Sequence, residues 1–588
     1  MACTFRLVHR WSERFCRLEV VLGVANRLAR CLRKMKVMSA APFQRSLMLA
    51  RLEQEEFDVV IVGAGITGVG AALDAASRGL RTALIERDDF ASGTSSKSSK
   101  LVHGGLRYLK DDPRLVYEAL HERQRLRRNA PHLVSVMPFM IPILTKNGVV
   151  SRKIARAMGS MMWMYDLTGG WRIGKFHKRL KAPAALAHLP TMAKDRLASA
   201  YLYYDAAADD ARLVLTIART AAAHGAAVAN RCSLVEVTKG ADGKACGAVI
   251  EADGRRFAVR AKVVVNAAGV WADDVRALDE GTHPDSIRPA KGVHITLPWE
   301  KVRNDIAVVI PVPKDKRSLF VVPWGPLADG TFEHCYVGTT DTDYDGPLVD
   351  PQCTKDDIDY VLRALNASIT SGVTAGDITG VWAGLRPLVK AADSGRTADL
   401  SRHHALHTSS GGVISITGGK LTTYREMAQD TIDVVVGQLG MKARCRTRSL
   451  PFVGAKGFRE QPAGSAAGHL AHRYGSMTAD VQALISADPT LGQPLVQGLP
   501  YLRAEAVYAA REEMALSVDD VLTRRTRARL LDRAAALAAA PATAALLATE
   551  LGWDDEETAR QLAHFTAQCA AEVDAAAASR ASNAEATK

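Results

Sequence analysis

The alternation of apolar and polar positions changes period at a few places along the chain, and those changes mark its elements. Asp58-Val59-Val60-Ile61-Val62 is an almost unbroken β-branched run, the pattern of a parallel strand buried on both faces. Gly63-Ala64-Gly65-Ile66-Thr67-Gly68 follows as a turn, then a helical stretch that Gly79 stops after Arg78. A second strand, Thr82-Ala83-Leu84-Ile85, ends on Glu86. Ala261–Gly269 and Val413–Gly419 read as later buried strands ending in small-residue turns, the second before a helix. Between them, Ile295–Leu297, Ala307–Ile310, Leu319–Val322 and Tyr336–Gly338 are short apolar runs separated by Pro, Gly and Asp turns, which predicts an antiparallel sheet. From about Met441 the pattern is helical and alanine-rich, and Ser517-Val518-Asp519-Asp520 has capping-box spacing before an arginine-studded stretch.

The first strand–turn–helix–strand has the parts of a dinucleotide site. Gly63 permits the tight turn, Gly65 lets the backbone approach a pyrophosphate, and Gly68 lets helix and strand pack closely. The pyrophosphate then sits at the positive end of the helix. Glu86 is placed to accept from an adenosine ribose and to repel a 2′-phosphate. These residues alone leave FAD and NAD both open. No second glycine-rich turn of this kind follows, and an enzyme using both usually needs one, so FAD is expected as the only dinucleotide.

The predicted fold is therefore α/β: a discontinuous Rossmann-like FAD-binding domain (57–130, 205–290 and 405–440) with an inserted mixed antiparallel-sheet substrate or cap domain (131–204 and 291–404). A C-terminal α-helical domain (441–573) follows, with a basic N-terminal extension at 1–56 and a polar, disordered tail at 574–588. A chain of 588 residues is too long for one core, and 47% apolar residues can fill several. No apolar run appears long enough to span a bilayer. Nine scattered cysteines without a C-x-x-C pair indicate reduced thiols in a cytosolic setting, not a disulfide framework or zinc site. The net charge of +13 suits an anionic substrate, an acidic membrane or nucleic acid, and does not choose among them. Met1 to Lys36 is basic, with Glu13 and Glu19 as its only acids. It reads as a surface arm, or as sequence ahead of a start at Met35, Met38 or Met48, before it reads as a cleaved signal; an organelle-targeting peptide shares its composition.

Three longer blocks carry a resemblance. Thr94–Leu109 (TSSKSSKLVHGGLRYL), Gly384-Leu385-Arg386-Pro387-Leu388 and Gly418-Gly419-Lys420-Leu421-Thr422-Thr423-Tyr424-Arg425 closely resemble the FAD-dependent glycerol-3-phosphate dehydrogenases of the D-amino-acid-oxidase-like flavoprotein superfamily. The likeness runs from about Phe57 to near Arg529 and includes Arg511-Glu512-Glu513-Met514-Ala515. It implies FAD held by Gly63, Gly65, Ile66, Thr67, Gly68, Glu86, Arg87, Ser95, Ser99, His103, Ala268, Gly269, Gly419 and Thr422, with Ser96 and Ser98 in the same serine cluster. It implies a substrate pocket lined by Arg107, Tyr108, Arg386 and Lys420, with Arg402 a further phosphate ligand. The activity implied is oxidation of sn-glycerol 3-phosphate to dihydroxyacetone phosphate, electrons passing to a membrane quinone. By the family's geometry, Lys420 also faces the flavin N1–C2=O edge and stabilises the reduced anion.

The residues agree with that chemistry. Alcohol oxidation needs hydride transfer to the flavin, a base for the hydroxyl proton and a fixed grip on the phosphate. A phosphate dianion calls for several cations, arginine above all for its fork of donors. Arg107, Arg386 and Lys420 lie in glycine-flanked segments read as turns, and Pro387 holds Arg386 extended. Two histidines compete as base. His103 directly precedes Gly104-Gly105; His294 lies on a strand whose alternation sets His294 and Thr296 opposite Val293, Ile295 and Leu297. The residues do not choose between them, so the catalytic set is His103, His294, Arg386 and Lys420. No metal is expected: Asp341–Gly346 copies the start of a calcium loop, but Gln352 stands at the twelfth position and Pro347 follows the glycine.

Expected partners are glycerol 3-phosphate, a membrane quinone and a second copy of the chain in a homo-oligomer. The expected location is cytoplasmic, with peripheral docking on the inner face of an anionic cell membrane. Ala157–Tyr165 is rich in Met and aromatics between basic flanks, which fits an interfacial segment and, slightly better, a core helix of the cap domain. The run Arg524, Arg525, Arg527, Arg529 reads as a charged helix surface. Two other functions are carried alongside: a flavin oxidase or dehydrogenase for another hydroxy or amino acid, or one using oxygen, and a basic nucleic-acid-binding flavoprotein. The last lacks aromatics interleaved with its basic runs, so nucleic acid is not expected.

Overall fold

A computed structural model describes residues 43–110, 112–144, 152–315, 317–390 and 403–578. The extension before residue 43, Arg402, the tail from 579 and the side chains of Arg152, Lys153 and Arg156 lie outside the described residues.

The strand Glu56–Val62 is buried from Phe57 onward and lies between Thr82–Ile85 and Arg255–Asn266, parallel to both. A strand with parallel neighbours and both faces covered has no solvent side, which is why its sequence does not alternate. The sheet runs in the order His404–Thr408, Ile414–Gly418, Arg255–Asn266, Glu56–Val62, Thr82–Ile85, Ala227–Ala229, with Ser233–Lys239 and Ala245–Ala252 as an antiparallel appendage. The helix Ile66–Arg78 packs between Asp210–Ala223 and Tyr424–Gln438. The last of these comes close because residue 70 is glycine: a Cβ there would lie 2.7 Å from the Tyr424 ring.

The second sheet has ten strands, built chiefly from 134–208 and 287–389. Its pairings are antiparallel except where Ala307–Pro311 runs parallel to Val134–Leu144. Among the described residues, five helices of eight or more residues follow, from Ala466–Tyr474 to Asp555–Ala577. The architecture is the expected one: α/β, a discontinuous Rossmann-like domain, an inserted mixed sheet and a helical C-terminal domain.

Three findings depart from the sequence reading. Residues 43–54, assigned to a separate extension, end in the helix Arg45–Gln54. Phe43, Met48, Leu49 and Leu52 are buried in the nucleotide-domain core, and the Arg51 guanidinium donates to the carbonyls of Gly225 and Ala226. A stripe of four apolar residues in so short a segment is enough to dock it.

The second concerns Arg524, Arg525, Arg527 and Arg529, which are all buried. Asp89 accepts from Arg524 and Arg525 at 2.6 Å each, Asp210 pairs with Arg527, and Asp519 and Glu572 hold Arg529. The run staples the helical domain to the nucleotide domain. Removing one partner of such a pair costs about 3–5 kcal/mol because the other charge stays buried. Asp89 and Asp210 lie hundreds of residues away, so local pattern could not reveal them.

Third, the helix Arg533–Leu551 does have the length and apolar composition of a membrane span. Its apolarity comes largely from alanine, and Ala536, Ala540, Ala544 and Leu547 pack into the helical domain's core. One face of the helix is thus covered by the protein, a third of its apolar stretch being buried.

Candidate active site

A cavity of about 990 Å³ is lined from both sheets. At its nucleotide end Gly63 has φ +99, and a Cβ there would lie 2.7 Å from the Ala267 carbonyl oxygen. Gly68 does not line the cavity; it acts through packing, since a Cβ on it would stand 1.8 Å from the Gly63 oxygen. Gly65 begins the helix Ile66–Arg78, and Gly65, Ile66 and Thr67 open onto the cavity. The Ile66 amide donates to Ser95 Oγ at 2.9 Å, which ties the serine cluster to the helix start. Ser99, Ala268, Gly269, Gly419 and Thr422 also line the cavity, as does Arg87, whose guanidinium lies 4.8 Å over the Trp271 ring. The serine segment is firmly held: Ser98 Oγ donates to Asp210 at 2.6 Å, and the Lys100 ammonium pairs with the same carboxylate while facing the Trp382 ring.

Glu86 accepts from the amides of Ala64 (2.7 Å) and Asp88 (2.9 Å) at the cavity wall. Burial pushes its carboxyl up to about 6, although the two amides favour the anion. The set fits FAD: bare glycines where a pyrophosphate passes, helix amides behind it, a carboxylate for ribose hydroxyls, and a cavity at the large end of the ordinary range. The anion is the form that accepts from ribose. FAD retention is therefore expected to be full above about pH 6 and to weaken as pH falls through that value, by at most about tenfold per pH unit. Equilibrium dialysis of FAD from wild type and Glu86→Gln checks this; the variant is expected to lose the pH dependence.

At the other end, Arg107, Tyr108, Arg386, Lys420 and both histidines line the same cavity. The turn at His103 is fixed from behind: its amide donates to Thr422 Oγ1 at 3.2 Å, and the Gly104 amide to the buried Asp205 at 3.2 Å. Gly105, at φ +80, turns the chain into the 3₁₀ segment Leu106–Tyr108, and Arg107 donates to the Tyr108 hydroxyl. The guanidinium of Arg107 and the ammonium of Lys420 lie 4.6 and 4.1 Å from the Tyr108 ring centre. Lys420 follows Gly418 and Gly419, both at positive φ, and precedes a short 3₁₀ turn before the helix Tyr424–Gln438. Arg386 stands on the strand Gly380–Val389, paired to Ala290, not in the turn expected of it. Its guanidinium reaches Asp341 at 3.0 Å, Thr339 Oγ1 at 3.1 Å and the Thr340 carbonyl at 3.0 Å.

The two histidines differ. His294 is buried, stacked on Trp382 at 4.7 Å and 10°, with Nε2 2.9 Å from Ser99 Oγ. Burial holds it well below the ordinary histidine range, and Lys100 and Arg386 add to the effect. His103 is half-buried, and its ring nitrogens make no hydrogen bond among the described residues. Burial, with Lys420 and Arg107 next in effect, pushes it down to about 3, so the imidazole is neutral.

Sequence reasoning missed Arg317, Thr339 and Asp341 as cavity residues. Arg317 pairs with Asp315 and donates to the Asp341 carbonyl at 2.6 Å, which braces the Arg386 partner. Asp341, set aside with the calcium-like turn, is the carboxylate that aims Arg386. No motif spacing marked these residues; the only signal was Gly338-Thr339-Thr340-Asp341 ending a strand, and it points to no chemistry by itself.

Comparison with known proteins supplies the rest. Residues 58–425 match the family described as FAD dependent oxidoreductase, and 445–558 match the C-terminal domain of alpha-glycerophosphate oxidase. The chain is 40% identical over 550 residues to glycerol-3-phosphate dehydrogenase 2 of Mycobacterium tuberculosis, covering 90% of this chain and 91% of that one. It is 37% identical to the human mitochondrial glycerol-3-phosphate dehydrogenase, covering 89% and 74%. The crystal structure of the Bacillus halodurans glycerol-3-phosphate dehydrogenase complexed with FAD superposes with a TM-score of 0.71 at 28% identity, covering 89% of this chain and 97% of that one. The chain belongs to the FAD-dependent oxidoreductases and, within them, to the family of the glycerol-3-phosphate dehydrogenases.

Proposed function

We propose that the protein oxidises sn-glycerol 3-phosphate to dihydroxyacetone phosphate and passes the electrons to a membrane quinone. The observation that carries the substrate reading is the set of cations on one cavity end: Lys420 and Arg107 flank Tyr108, both act on His103, and Arg386 and Arg317 meet at Asp341. A hydroxy acid with its single carboxylate, or a zwitterionic amino acid, would not require so many. FAD, when bound, supplies the two-electron acceptor. Arg107, Lys420 and the Tyr108 hydroxyl grip the phosphate, and Arg386 orients the hydroxyl-bearing end. His103 accepts the hydroxyl proton on a ring nitrogen. A bound dianion offsets the positive charge that depresses His103, so its basicity rises as substrate arrives. The relatives named glycerol-3-phosphate dehydrogenase support the same reading. Steady-state turnover on glycerol 3-phosphate, glycerol, lactate and amino acids, each with a quinone analogue and with oxygen alone, tests it; the proposal requires selectivity for the phosphorylated alcohol and preference for quinone.

For the acceptor, the helix Arg152–Thr168 supports a membrane reading. Met158 and Met161 line the cavity, whereas Trp163, Met164 and Leu167 on its other side are exposed, Leu167 by 71%. Trp171 and Phe176 add exposed apolar side chains, and Lys175, Lys178, Arg179 and Lys181 in the same segment are exposed cations. Each cation near an anionic bilayer contributes about 1 kcal/mol. The protein then docks on the cytoplasmic face of the cell membrane with this helix between quinone and cavity. Flotation with phosphatidylglycerol vesicles at low salt is expected to carry the protein up, and Trp163→Ser with Leu167→Ser to reduce that about tenfold or more; protein left at the bottom removes the membrane reading.

A further inference from the structure

A second, smaller cavity of about 360 Å³ is lined by His121, Gln124, Arg125, Arg128, Trp171, Arg172 and Gly174. None of these belongs to the flavin cavity. The first four stand at i, i+3, i+4 and i+7 on the helix Pro113–Asn129 and so share one face. Trp171 and Arg172 come from the 3₁₀ turn Gly170–Ile173. No carboxylate lines the cavity. Glu122 is buried behind it, pairing with Arg425 at 2.7 Å and with Arg125; Glu426 also reaches Arg125, at 3.4 Å.

The remaining cations are uncompensated. Arg128 makes no hydrogen bond or ion pair among the described residues, and Arg172 lies over the Trp171 ring at 4.8 Å. The Gln124 carbonyl oxygen accepts from Arg127, which leaves the amide NH₂ as a donor. Basic residues in the last turn of a helix ordinarily answer its dipole, worth about 0.3–1 kcal/mol each. That accounts for one or two arginines on the helix and gives no reason for a further guanidinium brought from a separate turn. Two guanidiniums without a carboxylate, Arg128 and Arg172, beside a third that Glu122 and Glu426 hold in place, form the arrangement that takes an oxyanion with several acceptor oxygens.

We propose that this cavity binds the phosphate group of an anionic phospholipid, separately from the substrate site. Trp171 is shared between the cavity and the exposed apolar surface, and it follows directly on the helix carrying Trp163 and Leu167. A phosphate seated on Arg128 and Arg172 leaves its esterified chains over that surface. The lipid source rests on the membrane reading above; the phosphate site itself does not.

The test uses FAD-loaded enzyme and the variant Arg128→Gln with Arg172→Gln. Calorimetric titration with inorganic phosphate is expected to show two classes of site in wild type. In the variant one class weakens by about tenfold or more, while reduction of the flavin by substrate stays unchanged. A titration that the substitutions leave unaltered overturns the proposal. Partition onto phosphatidylglycerol against phosphatidylcholine vesicles identifies the source. Loss of both the phosphate site and the phosphatidylglycerol preference supports the lipid. Loss of the phosphate site alone keeps the anion site, assigns it a soluble phosphate ester and overturns the lipid assignment. Reduced vesicle binding with the phosphate titration intact marks diffuse surface charge and overturns the site.

Discussion

Replacing His103 by asparagine is expected to lower kcat by about 10²–10⁴-fold with KM changed far less, the usual loss when a positioned general base is removed. His103 and His294 line the same cavity, but only His103 has both ring nitrogens clear of hydrogen bonds among the described residues; in His294 only Nδ1 is, and it is buried. The Nε2 of His294 is engaged with Ser99, its ring is sandwiched on Trp382, and a Cβ on Gly338 would lie 2.2 Å from it. That packing fixes the ring as part of the wall. His294→Asn should therefore cost stability and cofactor retention more than chemistry, with kcat per bound flavin within about tenfold of wild type. Anaerobic stopped-flow reduction of bound flavin separates the two: slow reduction at normal flavin content is expected of His103→Asn, and reduced flavin content with near-normal reduction of His294→Asn. The opposite pattern would assign the base to His294.

Arg386→Leu is the second large effect. Its guanidinium is held by Asp341, Thr339 and the Thr340 carbonyl, so it is aimed before substrate arrives and loses little freedom on binding. Charged hydrogen bonds are worth about 1.5–3 kcal/mol, and the substitution also removes the guanidinium between Asp341 and an anionic substrate. We expect kcat/KM for glycerol 3-phosphate to fall by about 10²–10³-fold. Adding Asp341→Asn should recover part of that loss by removing the repulsion. If the double variant is no better than Arg386→Leu alone, the carboxylate is not the source of the penalty. If Arg386→Leu leaves kcat/KM intact, Arg386 has no part in recognition.

Much of this molecule is local, and the local part could be read. The strand at 58–62, its three glycines and Glu86 lie within one stretch of chain, and their spacing is set by a single turn and a single helix. The alternation at 293–297 likewise sorted Val293, Ile295 and Leu297 into the sheet core, away from His294. What escaped was whatever depends on partners far along the chain. Arg524 to Arg529 resemble a solvated face until Asp89, Asp209 and Asp210 are brought against them. Arg317 and Asp341 mattered only after two strands of the second sheet set them beside Arg386. The helix Arg152–Thr168 defeated a choice between core and interface because it is both, with Met158 and Met161 facing in and Trp163 and Leu167 facing out.

The central claim is that a cationic pocket presents a phosphorylated secondary alcohol to the flavin. Anaerobic titration of the purified, FAD-loaded protein with sn-glycerol 3-phosphate, followed by flavin absorbance, tests it most directly. The account predicts that the substrate bleaches the flavin fully while glycerol, which lacks the phosphate, does so at least about 10³-fold less efficiently. A flavin that stays oxidised with glycerol 3-phosphate, or that glycerol reduces equally well, would contradict it.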